Sequence, residues 1–176
     1  FTHGLESAGL LAACMTLAGL PQMFLRGTSK YLAPLTANAY GQLGVTALNR
    51  VMNKFLLLYV VSMTAVLAVF ALYGESLVRF CFDDSYAGTA TIMLVLGLTS
   101  WLQGPDMVAG SGLNAFSRTD LNFAADLVRC LGIVIGAPLF IPALGALGVP
   151  LALLIGMITG GITRVILYRL LSQNDG

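Results

Sequence analysis

Residues 55–74 read FLLLYVVSMTAVLAVFALYG and contain no aspartate, glutamate, lysine or arginine. A helix needs about 20 apolar residues to cross the ~30 Å hydrocarbon core of a bilayer. Three further stretches are equally free of charge, namely Ser7–Leu25, Ser85–Pro105 and Cys130–Thr163. The last of these is long enough for most of two crossings, with a break at the proline- and glycine-rich segment Pro138–Pro150. The sequence therefore predicts an integral membrane protein.

The composition agrees with this class and excludes others. Hydrophobic residues make up 57% of the chain and charged residues only 10%, whereas soluble domains carry about 25% charged residues. The net charge of +1 gives no indication of a nucleic acid partner. The three cysteines are widely spaced, and we predict neither a disulfide framework nor a metal site. Because no catalytic constellation or phosphate-binding motif is present in the sequence, we predict neither an enzyme nor a cofactor.

The fold class predicted from this pattern is an all-α membrane protein, a single domain over residues 1–176 with about five transmembrane helices. The segment Tyr31–Asn49 is uncharged but rich in polar and small residues, so a membrane-surface connection is favoured over a sixth crossing. The second helix is expected to stop at Tyr73 and Gly74, and a kink is expected at Pro105. The five predicted helices are about Leu5–Leu25 (extending at most to the residue before Pro34), Ala47–Leu72, Tyr86–Asn114, Thr119 to near Pro138, and Val149–Leu171.

Positive residues alternate between the two sides of such a bundle. By the positive-inside rule, this bias places the C-terminus in the cytoplasm. The residues that carry the argument are Arg26, Lys30, Arg50 and Lys54 after the first helix, Arg118 after the third, and Arg164 and Arg169 at the C-terminal end.

Three charged residues, Asp106, Asp126 and Arg129, fall inside predicted membrane helices. A charge near the bilayer centre costs at least ~2.5–3.5 kcal/mol, so it should face a bundle interior or a watery cavity. Helical spacing puts Asn122 on one face with Asp126 and Arg129, and Gln103 on one face with Asp106. We interpret these stripes as the lining of a hydrophilic cavity. The alternative is a local i,i+3 pair of Asp126 and Arg129 that only holds helices together.

Two further patterns have simpler interpretations. Small residues four apart, Gly132 with Gly136 and Gly156 with Gly160, allow close approach of membrane helices. The adjacent acids Asp83-Asp84 offer a cation site in principle, although a solvated loop explains them more simply.

The order of landmarks along the chain resembles a known family. The landmarks are a proline-containing polar segment (YLAPL, 31–35), an aromatic and acidic turn (LVRFCFDDSYA, 77–87), the segment NAFSRTD (114–120) and the Pro/Gly turn IPALGALG (141–148). Together they look like the C-terminal lobe of bacterial polysaccharide biosynthesis proteins, the O-antigen flippases of the multidrug/oligosaccharidyl-lipid/polysaccharide exporter superfamily. Because the chain starts at Phe1 instead of a methionine, we expect a C-terminal fragment of such a transporter.

This resemblance implies a transporter that flips a lipid-linked oligosaccharide across the bacterial inner membrane by alternating access. It implies as partners the lipid bilayer, the lipid-linked substrate, the N-terminal lobe and a glycan polymerase, and it makes Arg129 the matching candidate for binding the lipid pyrophosphate. Two alternatives remain open. One is a cation-coupled multidrug or metabolite exporter, in which Asp106 and Asp126 carry the coupling ion. The other is a non-transporting membrane subunit of envelope glycan synthesis.

Overall fold

The computed structural model describes residues 2–81 and 90–174, and within them every residue is helical except Gly44 and a short turn at 116–118. This confirms the predicted all-α class. The elements are α1 (Thr2–Cys81), α2 (Ala90–Ala115), α3 (Thr119–Leu144), a 3₁₀ turn (Gly145–Leu147) and α4 (Gly148–Asn174).

Helix α1 is a hairpin of two long arms. It reverses at Gly44, whose φ of 74° and ψ of −166° lie outside the helical region and suit a residue without a Cβ. The arms, residues 2–43 and 45–81, run antiparallel, because the Tyr59 hydroxyl donates a hydrogen bond to the Thr28 hydroxyl at 2.7 Å. Further along the pair, Leu17 and Leu20 line one cavity together with Val69.

Among the described residues, three helical stretches are long and apolar enough to cross a membrane: Leu11–Cys81, Ala90–Ala115 and Thr119–Gln173. The predicted count of about five membrane helices is therefore not matched. The first stretch contains the reversal at Gly44, and the third contains the 3₁₀ turn. Apart from Gly44 and the 3₁₀ turn, α-helical backbone in these two stretches thus continues through residues that the sequence predicted to be connections.

The clearest correction concerns Tyr31–Asn49, which is helical except at Gly44, so the chain reverses there through one residue and not through a long surface connection. Its polar side chains are compatible with a helix because some bond to the backbone of the preceding turn. The Thr36 hydroxyl, for example, donates to the carbonyl oxygens of Leu32 at 3.1 Å and Ala33 at 2.9 Å. The predicted stop before Pro34 is wrong as well, since that proline lies inside α1.

Of the other predicted helix ends, some agree with the structure and some do not. The stop at Gly74 is wrong, since α1 continues to Cys81, and the stop near Pro138 is wrong, since α3 runs to Leu144. The limits predicted for the last helix are close to those of α4, and the third helix does end near Asn114. Its predicted start at Tyr86 and the acids Asp83-Asp84 lie outside the described residues.

The helices are arranged so that two chain reversals and the end of α4 lie at one end of the bundle. Helix α2 runs antiparallel to the second arm of α1, with Gly104 against Tyr59 and Gly112 against Met52. Asp106 lies against Gly161 and Gly112 against Tyr168, so α4 runs parallel to α2, while α3 returns antiparallel to α4. The Gly44 reversal, the turn at 116–118 and the C-terminus of α4 therefore share one end, here called the bend end.

The predicted glycine contacts join α3 to α4. A Cβ on Gly132 would lie 3.1 Å from the Gly156 Cα, and a Cβ on Gly160 would lie 3.1 Å from the Ala125 carbonyl oxygen. Both distances are tighter than nine in ten Cβ contacts, so a side chain at either glycine would require the facing backbone to shift. The interpretation of these glycines as close-packing positions is confirmed.

Candidate functional site

Four charged side chains from three helices meet in one place, here called the ion-pair cluster. It consists of Asp106 on α2, Asp126 and Arg129 on α3, and Arg164 on α4. Three of the five residues predicted to line a cavity therefore come together. The fourth member, Arg164, was not among them.

Asp106 is the centre of the cluster. Its Oδ1 accepts a hydrogen bond from Arg164 Nη1 at 2.6 Å, and its Oδ2 accepts one from Arg129 Nη2. The Asp106 side chain is only 5% exposed. One buried carboxylate thus binds two guanidinium groups and ties α2 to both α3 and α4.

Arg164 is buried to a similar degree, at 7% exposed. Its Nη2 donates to Asp126 Oδ1 at 2.6 Å and to the Asn122 carbonyl oxygen at 3.3 Å. The prediction that Arg164 is a cytoplasmic charge at the C-terminal end is wrong for this residue. A signal was available: Arg164 continues the four-residue spacing of Gly156 and Gly160, and it therefore lies on the face of α4 that packs against α3.

The local pair of Asp126 and Arg129 does exist but is the weakest contact of the cluster. Its shortest distance, from Arg129 Nη1 to Asp126 Oδ1, is 3.5 Å, beyond the range of a good charged hydrogen bond. The contacts between helices are much shorter. The local i,i+3 pair therefore does not by itself account for these charges.

The polar stripes of α2 and α3 also meet one turn from the cluster. Asn122 Nδ2 donates to the Gly110 carbonyl oxygen at 3.0 Å and to Asn114 Oδ1 at 2.8 Å. This places Asn122 beside the cluster, as predicted. Gln103 lies one turn before Asp106 on α2 and is partly exposed, so it borders the cluster without belonging to it.

The cluster lies at one level of the bundle. Asp106, Arg129 and Arg164 are nine or ten residues from the ends of their helices at the bend end, which corresponds to about 15 Å. Helix α3 is about 39 Å long at 1.5 Å per residue. In a ~30 Å hydrocarbon core centred on α3, Arg129 would lie about 5 Å from the midplane.

The cluster is open on one side. The Asp126 side chain is 53% exposed and that of Arg129 is 23% exposed, in contrast to their two buried partners. The Nε atoms of Arg129 and Arg164 are buried and have no hydrogen-bond partner among the described residues. A charge facing lipid near the bilayer centre costs at least ~2.5–3.5 kcal/mol. In a membrane, this side must therefore meet another protein surface or water.

The four members carry two positive and two negative charges, so the cluster is neutral. An anion can bind Arg129 only by taking the place of a carboxylate, and Asp126 is the carboxylate with the longest contact to it. Among the described residues, no group of three or more His, Cys, Asp or Glu side chains is placed to hold a metal ion. The arrangement is suited to exchange of ionic partners at the exposed side of α3.

In comparisons with known proteins, no family model matches the chain, and no curated protein or solved structure matches it either.

Proposed function

We propose that this chain forms one lobe of a transporter that flips a lipid-linked oligosaccharide across the bacterial inner membrane, with its C-terminus in the cytoplasm. The observation that carries the proposal is the half-exposed Asp126 beside Arg129, deep within a long apolar helix. A second lobe facing this side would enclose a polar cavity between the two. The N-terminal lobe implied by the family resemblance would supply that surface.

The pyrophosphate of a lipid carrier is an anion that a guanidinium binds well, through two parallel N–H donors. Arg129 is the more exposed of the two cations in the cluster. Asp126 is held mainly by Arg164 at 2.6 Å and contacts Arg129 only at 3.5 Å. Arg129 can therefore turn from Asp126 toward an anion while Asp126 keeps its contact to Arg164. Substrate binding would then replace one carboxylate by the pyrophosphate, and release would restore it.

The test compares substitutions in the complete transporter, with the second lobe present, and measures export of the glycan at equal membrane abundance. We expect Arg129→Gln to abolish export and Arg129→Lys to retain part of it, because lysine keeps the charge but loses the bidentate geometry. Asp126→Asn should have a smaller effect, since it leaves the cation in place. Arg118→Gln is the matched control, because Arg118 is exposed and pairs only with Asp120 among the described residues.

A cation-coupled exporter is the second candidate, and the exposure of Asp126 favours it. A half-exposed carboxylate in a membrane cavity can bind and release a proton or a cation. This function predicts the reverse order, with Asp126→Asn inactive and Arg129→Gln active. Asp106→Asn discriminates poorly between the two functions, because it removes the buried partner of two arginines and is expected to destabilise the fold.

A further inference from the structure

A groove of about 670 Å³ runs between the second arm of α1, α2 and α4. On α1 it is lined by Asn49, Met52, Asn53, Leu56 and Val60, which share one face of the helix. Both asparagines lie in the half nearest the bend end, with Met52 between them, and the deeper half is wholly apolar. The lining thus changes from polar to apolar over about 16 Å, the rise of eleven helical residues.

The other walls show the same gradient. On α4, Ser172 and Arg169 lie toward the bend end and Val165 lies deeper. Pro105 and Val108 of α2 complete the apolar part. The groove therefore has a polar mouth at one end of the bundle and an apolar floor that extends toward its middle.

The mouth is fixed and positively charged. Asn49 Nδ2 donates to Ser172 Oγ at 3.1 Å, and the Tyr168 hydroxyl donates to Asn49 Oδ1, so α1 and α4 are joined there. Arg169 is exposed and forms no ion pair among the described residues. Two more exposed cations, Arg50 and Lys54, follow the lining asparagines directly. Residues 26–74 and 148–174 contain no acidic residue.

The geometry points to a binding site for an anionic glycerophospholipid, with its phosphate at Arg169 and an acyl chain along Val60 and Val165. A positive mouth at the membrane surface attracts anionic headgroups, and an apolar groove below it takes the chain out of water. Only a molecule with both parts matches the gradient along the groove. The inference is independent of the proposed transport function, since it involves none of the four residues of the ion-pair cluster.

The headgroup is tested by lipid titration of the purified chain in detergent micelles, with binding followed by native mass spectrometry. Phosphatidylglycerol should bind more tightly than phosphatidylcholine with the same acyl chains. Arg169→Gln should weaken phosphatidylglycerol binding about fivefold and leave phosphatidylcholine unchanged. The control is Arg79→Gln, because Arg79 pairs with Glu75 at the opposite end of the bundle.

The acyl chain is tested with two neighbouring valines of α1. Val60→Trp fills the groove and should remove binding of both lipids, whereas Val61→Trp should not, because Val61 is 61% exposed and does not line the groove. Circular dichroism checks that both variants remain folded. Equal loss in the two variants would overturn the site, as would equal binding of the two lipids to the unchanged protein. If an equal concentration of glycerophosphoglycerol displaced the lipid, the groove would be a small-anion site, and this result would likewise overturn the proposed lipid site.

Discussion

Replacing Arg164 by glutamine is the most direct test of what the ion-pair cluster does for the fold. The two Nη atoms of Arg164 each donate to a carboxylate at 2.6 Å, one on α2 and one on α3. Without Arg164, Asp106 keeps only Arg129, and the cluster carries a net charge of −1. Removing one partner of a buried pair costs about 3–5 kcal/mol. Because Asp126 is half exposed and can regain solvent, we expect a value near the lower end, about 3 kcal/mol.

The free energy of unfolding can be measured in mixed micelles with increasing dodecyl sulfate, followed by far-ultraviolet circular dichroism. A loss of about 3 kcal/mol lowers the folding constant roughly a hundredfold. Arg118→Gln, at an exposed pair, should leave the unfolding midpoint unchanged. The double variant Arg164→Gln with Asp106→Asn should lose less than the sum of the single variants, since it removes one charge of each sign. A midpoint for Arg164→Gln no lower than that of Arg118→Gln would refute this reasoning.

Two further predictions concern the bend and the topology. Gly44→Ala should destabilise the chain by about 1–3 kcal/mol, since the φ and ψ of Gly44 belong to a region that is essentially restricted to glycine. The control Gly41→Ala, three residues away in open helix, should be neutral or stabilising. Equal unfolding free energies for the two variants would contradict the reversal at Gly44. The topology can be tested in a variant lacking Cys14, Cys81 and Cys130. A cysteine introduced at Leu144 should react in cells with an impermeant thiol reagent, and one introduced at Ser117 should not. The opposite labelling would mean that the orientation of the chain in the membrane is the reverse of the proposed one.

The sequence was a good guide wherever charge and hydropathy alone decide structure. The charge-free stretch 55–74 lies wholly within α1, and Cys130–Thr163 lies within α3, the 3₁₀ turn and α4. Tyr31–Asn49 could not be assigned in this way, because its polar side chains suit a loop as well as a helix. The choice depends on backbone hydrogen bonds such as that of Thr36, which hydropathy does not register.

The candidate site could be predicted only in part, because charge and hydropathy identify single residues but not the contacts between helices. Asp106 and Arg129 could be recognised because a charge stands out within an apolar helix, but their pairing across 23 residues depends on how α2 and α3 pack. Arg164 was missed because its position near the chain end matched the charge bias expected of a cytoplasmic tail. The spacing of Gly160 and Arg164 along α4 was the better evidence, since it concerns which face is buried.

The ion-pair cluster divides α3 into two parts of unequal length. From the cluster to the bend end, α3 measures about 15 Å, and from the cluster to Leu144 about 22 Å. If the cluster acts as the fulcrum, a 10° tilt of α3 moves its Leu144 end by about 4 Å and its other end by about 2.6 Å. Such a rocking motion therefore displaces the Leu144 end of α3 more than the end nearer Gly44, and the two displacements are in a ratio of roughly three to two.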